Sequence, residues 1–162
     1  GAIGAVANRD AIFGYSWHQY TSPDGKFSVE LPGKPVWEPK TITRTDGTNV
    51  TYHHVKAQPA ARSYYSVAYY DRGSAEADAI LDRIQSGTLK AVQGTLISMK
   101  PITLNGLPGR ELQMSTPKGV TLTEHIVVDA ERYYMLVVST ERSQSTESKD
   151  AQHFFDSFKL LG

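Results

Sequence analysis

Through most of the chain, apolar and polar residues alternate with a period of two. Phe27, Val29 and Leu31 alternate with Ser28 and Glu30, which predicts a half-buried strand. Residues 15–20 read as a short strand before it. Ser22-Pro23-Asp24-Gly25 between them is a turn, with Pro presetting φ and Gly permitting a positive φ. Pro32-Gly33-Lys34-Pro35 stops the second strand. Residues 40–44 and 49–56 flank Thr45-Asp46-Gly47-Thr48, and an Asp-Gly pair between alternating runs predicts a hairpin. Residues 58–62 read as a loop or bulge, and Tyr64–Tyr70 as an aromatic-rich strand. In that strand Tyr65, Val67 and Tyr69 share one face, and Tyr64, Ser66, Ala68 and Tyr70 the other. Both are apolar enough to be covered.

At Ser74 the period changes. Ser74 is a candidate helix cap, and Glu76 and Asp78 suit the positive end of a helix dipole. Ala77, Ile80, Leu81, Ile84, Ala91 and Val92 fall on one face at helical spacing, and Gly94 is placed to end the helix. Gly87 weakens it by roughly 1 kcal/mol relative to Ala and invites a kink. Strand character returns over 95–104, where Pro101 suggests an edge or a bulge. Asn105-Gly106 is a second hairpin signal. Residues 110–115 and 120–128 pair around Thr116-Pro117-Lys118-Gly119, and 129–132 turn into a strand over 133–140. A last helix is expected over 145–158, with Phe154, Phe155 and Phe158 on its core face. Strands joined by hairpins, grouped with helices, predict an α+β fold. The chain reads as one domain over 15–162 after a leader, 1–14.

Composition narrows the picture. The 17 basic and 17 acidic side chains cancel, which argues against nucleic acid as the main ligand. No apolar run approaches the ~20 residues of a membrane span. There is no cysteine, so disulfides and thiolate chemistry are excluded. Ala5-Val6-Ala7 has the small-x-small form accepted by signal peptidase. The expectation is an extracytoplasmic domain, periplasmic or secreted and membrane-anchored in one form, with residues 1–7 read as the tail of a signal peptide or membrane anchor; the alternative is a flexible leader with no targeting role.

Several phrases together carry a resemblance. They are Tyr20-Thr-Ser-Pro-Asp-Gly-Lys-Phe-Ser-Val-Glu-Leu-Pro-Gly-Lys-Pro35, the strand Tyr64–Tyr70, Ile102-Thr-Leu-Asn-Gly-Leu-Pro-Gly-Arg-Glu111, and Phe154-Phe-Asp-Ser-Phe-Lys-Leu160. From about Trp17 to Leu160 the chain resembles the PsbP/Mog1/DcrB-like group, in particular its uncharacterised exported bacterial members. The resemblance implies an α/β/α sandwich: a central, largely antiparallel sheet of about six or more strands with helices on both faces. Members of the group include an accessory subunit of photosystem II and a cofactor of nuclear transport, which act by binding a partner. It implies no catalytic motif, and fold alone does not transfer a specific role.

Candidate chemistry is sparse. His53 and His54 are adjacent in a strand, and Glu124-His125 likewise, so each pair points to opposite faces and cannot chelate one ion. No helix carries an H-x-x-x-H pair, and no G-x-S-x-G elbow or phosphate-binding glycine loop occurs. His153 beside Asp156-Ser157 reads as a solvated helix face, and Gly106-Leu-Pro-Gly109 as a hairpin turn. No cofactor, metal or catalytic residue is expected. The remaining signal is aromatic: Trp17 and His18 before the first turn, and Trp37 in a proline-bounded loop, are interaction candidates, the alternative being that Trp17 and Trp37 cover one end of the sheet. The leading expectation is a non-catalytic domain that binds a protein partner or assists an envelope assembly. A small apolar ligand carrier and a hydrolase with a scattered site are the alternatives.

Overall fold

The computed structural model describes residues 16–43, 46–141 and 148–162. The leader 1–14, the first residue of the 15–20 strand, part of the Thr45-Asp46 turn and the start of the 145–158 helix lie outside them. Ten strands run in order: β1 (Trp17–Ser22), β2 (Phe27–Pro32), β3 (Val36–Thr43), β4 (Asn49–Ala60), β5 (Ser63–Asp71), β6 (Thr95–Leu104), β7 (Leu107–Ser115), β8 (Val120–Val128), β9 (Arg132–Glu141) and β10 (Lys159–Leu160). Two helices, α1 (Ala77–Val92) and α2 (Lys149–Ser157), complete the described elements.

The main sheet has seven strands ordered β3-β4-β5-β9-β8-β7-β6, every neighbouring pair antiparallel. A smaller sheet has the order β1-β2-β10. After β5 the chain crosses through α1 to the far edge at β6, then returns by three hairpins until β9 pairs with β5. The β6–β7 turn takes positive φ at both Asn105 and Gly106, which a two-residue hairpin of matching twist requires. Pro101 lies on the edge strand β6, the place in a sheet where proline is tolerated.

Successive residues of β9 divide the core. Tyr134, Leu136 and Val138 join β2, β4, β5 and α2 in one apolar cluster. Tyr133 joins Leu112, Met114, Leu122 and Ile126 under Ile80, Leu81 and Ile84 of α1. The fold is therefore sheet-dominated. The small sheet and the nine-residue α2 together cover the Tyr134 face, so a purely helical layer does not form there. β2 is buried on nearly all positions rather than half-buried, because it is the middle strand of the small sheet.

Three boundary expectations are corrected. Ser74 does not cap α1. The Arg72 side chain bonds Ala75 O at 3.1 Å and Asp129 O at 2.8 Å, holding residues 72–75 as a loop, and the N-cap is Glu76. The left-handed C-cap is Gln93, not Gly94; a Cβ on Gly94 would lie 3.2 Å from Met114 Sδ, so that glycine serves close packing. Ala91 is exposed and Leu89 packs in its place. α1 runs on through Gly87, and α2 starts at Lys149 with the Ser148 side chain accepting from Ala151 N.

Candidate functional site

The three aromatic candidates have different fates. Trp17 is half-buried, stacked on His153 at 3.9 Å and edge-on to Tyr65 at 6.5 Å. It ties the small sheet to α2 and is a packing residue. His18 is exposed, its Nδ1 3.1 Å from Ser16 O. Trp37 lies on β3, not in a loop, and is 47% exposed while stacked on His53 at 5.4 Å. Trp17 and Trp37 belong to different sheets.

Trp37 opens a stack that runs inward. His53 stacks on Tyr69 at 5.5 Å, and Tyr69 meets Phe27 edge-on at 5.9 Å in the core. His53 and Tyr69 are register partners on β4 and β5, so the ladder itself aligns the rings. Beside this stack is a recess of about 230 Å³ whose lining includes Asp24 of the β1–β2 turn, Asp71 at the end of β5, and Arg132 at the start of β9. Asp71 and Arg132 are cross-strand partners, and Arg132 is 3.4 Å from Glu131. Tyr69 is 8% exposed, with its hydroxyl sealed from solvent near Ser22, and His53 Nδ1 has no hydrogen-bond partner among the described residues. Burial raises the Tyr69 pKa, and the nearby Ser22 hydroxyl offsets this only in part. Gly25 lets the turn sit against this ring: a Cβ there would be 2.6 Å from Tyr69 Cε1. Tyr134 Oη donates to Gly25 O at 2.6 Å and fixes the turn.

The other titratable groups are bound into the fold. His53 and His54 point to opposite faces. His54 Nε2 is 2.7 Å from Tyr64 Oη, and its Nδ1 stands 3.7 Å from Glu38, beyond a hydrogen bond. Burial, then Lys40, pushes the His54 pKa down to about 4. His125 pairs with Glu111 at 2.8 Å and stacks on Phe155 at 3.8 Å; burial lowers its pKa. The face around His153 is not merely solvated. His153 is 3.3 Å from Glu30, and Ser157 Oγ accepts from Glu30 N while donating to Phe154 O, both at 2.8 Å. That serine caps the β2 edge and is not a free nucleophile.

Glu124, which the sequence marks only as one half of a Glu-His pair unable to chelate, is a buried acid. It is 2% exposed, inside the cluster beneath α1, and takes one hydrogen bond, from Thr88 Oγ1 at 3.0 Å. Burial raises its pKa to about 7. A signal existed, because Glu124 shares its parity on β8 with Leu122, Ile126 and Val128, the inward row. Exposed apolar side chains gather on both sheet edges, Val36 and Trp37 on β3 and Leu96, Ile97 and Met99 on β6.

No family model and no curated protein matches the chain. Among solved structures, cyanobacterial PsbP from Synechocystis aligns with a TM-score of 0.64 at 12% identity, covering 90% of this chain and 93% of that one. A Pseudomonas aeruginosa protein of unknown function described as a putative regulator aligns with a TM-score of 0.48 at 12% identity, over 85% and 87% of the two chains. A Bacteroides thetaiotaomicron protein gives 0.45 at 12% identity, over 89% of this chain and 48% of its own. The chain has the PsbP fold.

Proposed function

We propose that this chain is a non-catalytic, extracytoplasmic domain that works by binding a protein partner. One observation carries the reading: Trp37 keeps half its surface in water while His53 holds its ring rigid, next to the exposed Val36. A pre-ordered, exposed Trp loses little conformational entropy on docking, and Trp is over-represented among residues that dominate interface energetics. The engagement of Ser157, His153 and His54 within the fold supports a non-catalytic role. The Ala5-Val6-Ala7 motif supports placement outside the cytoplasm. Affinity capture from an envelope extract of the source organism tests the reading. Wild type should recover a reproducible partner, and Trp37→Ala should lose most of it. No reproducible partner, or equal recovery by both, would overturn it.

A carrier of small apolar ligands is the second reading. It is favoured by a groove of about 470 Å³ beside the C-terminal end of α1, lined in part by Val92, Pro117, Val120 and Leu122. Displacement of a fluorescent fatty-acid probe, abolished by Val120→Asp, is its test; no probe binding removes it.

A further inference from the structure

We infer that the groove beside the C-terminal end of α1 holds a single-chain amphiphile with an anionic head, its tail against Val92, Val120 and Leu122 and its head on Lys118 and Lys90. The inference rests on the carrier reading above and adds the class of ligand and the way it lies. The groove continues beyond its first 470 Å³. A second hollow of about 560 Å³ adjoins it and shares Lys118, Val120 and Ser139 with it. The two form one channel from the end of α1 to the β4–β5 turn. Each volume falls in the range of small-molecule sites, roughly 300–1,000 Å³. Strand parity makes the floor apolar, because Val120 and Leu122 stand in one row of β8. Val92 of α1 packs on the same cluster as Leu122.

Charge selects the head. The channel is lined by Lys90, Lys118 and Arg62 and by no acidic side chain among the described residues. Elsewhere in this chain, whose 17 basic and 17 acidic residues cancel, pockets carry acids: Glu30 and Asp156, Asp24 and Asp71, Asp129 and Glu131. Arg62 is already matched by Glu141 at 3.1 Å. It also donates to Lys118 O at 3.2 Å, which ties the β4–β5 turn to the β7–β8 turn. Lys118 and Lys90 have no ion pair among the described residues. The last carbonyls of α1 do not need Lys90, since Leu89 O and Lys90 O accept from Gly94 N and Gln93 N. Lysine is a compact point charge, so it reads the sign of a head and not its shape. An acidic peptide would also meet the lysines, but it would lay polar backbone on the apolar floor. An alkyl tail needs no hydrogen-bond partner there.

The test is an NMR titration of isotope-labelled protein with decanoate, decyl phosphate, decanol and decyltrimethylammonium, all below their micelle concentrations. The probes share a tail and differ in head. Saturable shifts are expected at Val92, Val120 and Leu122 with both anions. Decanol should bind about fivefold more weakly than the tighter anion, and the cation more weakly still, because exposed ion pairs are individually small. The tighter of the two anions distinguishes a fatty acid from a phosphate lipid. In Lys90→Gln/Lys118→Gln the anions should fall to the affinity of decanol. Decanol itself should bind as before, which shows the channel intact. Each single variant is measured as well, in case the double does not fold. Equal binding of decanol and the anions by wild type, or an anion preference that survives in the folded variants, overturns the head assignment and leaves the carrier reading standing. Saturable shifts centred on other residues overturn the site. No saturable shift with any probe defeats both readings.

Discussion

Glu124→Gln tests the electrostatic account of the core. The native pKa of Glu124 lies near 7 against an ordinary 4.5, because burial removes water from the carboxylate and only Thr88 donates to it. At about 1.4 kcal/mol per pH unit of difference, this corresponds to roughly 3 kcal/mol. The native state therefore holds the proton more tightly than the unfolded state. The contribution is fully present below pH 4.5 and is lost as pH rises through 7. Gln keeps the shape, can accept from Thr88 and does not ionise.

His54 works in the opposite sense. Its native pKa is near 4 against an ordinary 6.5, so its contribution is present above 6.5 and lost as pH falls through 4. Between pH 4.5 and 6.5 the two slopes nearly cancel, and wild-type stability alone would look flat. The informative quantity is the difference between wild type and Glu124→Gln, from which His54 drops out. Urea unfolding followed by circular dichroism from pH 4 to 9 measures it. The Gln variant should gain roughly 3 kcal/mol relative to wild type between pH 4 and 8, with most of the change complete by pH 7 to 7.5. A pH-independent difference would refute the claim that Glu124 is buried and neutral below pH 7.

Three further substitutions probe other contacts. Gly25→Ala should cost about 1–3 kcal/mol in thermal or urea unfolding, since its Cβ would sit 2.6 Å from Tyr69 Cε1 and 2.8 Å from Phe27 Cε1; a neutral result would show that the turn shifts freely. Tyr64→Phe removes the 2.7 Å partner of the buried His54 Nε2 and should cost about 1–3 kcal/mol, whereas a change within error would mean that water replaces the phenol. Ser157→Ala frees the Glu30 N–H and should speed its amide exchange with a loss of about 1 kcal/mol, and unchanged protection at Glu30 would contradict the edge-cap role.

The sheet was legible because its signals are local. Asp-Gly and Asn-Gly pairs between alternating runs predict hairpins, and β3–β4 and β6–β7 are where those pairs stand. Pro101 predicts an edge or a bulge, and of the two the structure shows the edge: β6 is an edge strand, and its one register shift lies at Leu96–Ser98. The faults lie where a tertiary contact overrides a local preference. Ser74 is a good cap by composition, but Arg72 anchors the preceding loop to Ala75 and Asp129, and the helix begins later. Gly94 is the obvious left-handed residue, yet Met114 and Val92 crowd it, and Gln93 takes the positive φ. β2 alternates like a half-buried strand, and no local pattern shows that β1 and β10 flank it on both sides.

The recess was not legible for a related reason. Its lining comes from the β1–β2 turn, β4, β5 and β9, spanning positions 24 to 132, and only the closing of the sheet brings these residues together. Trp37 is visible as an aromatic between prolines, but nothing local in the sequence marks His53 as its stacking partner. Opposite faces forbid His53 and His54 from sharing an ion, and for the same reason each is free to serve a different neighbour: Trp37 and Tyr69 for one, Tyr64 for the other. Strand parity, carried one step further, separates these roles and places Glu124 inward as well. The recess would still need the structure.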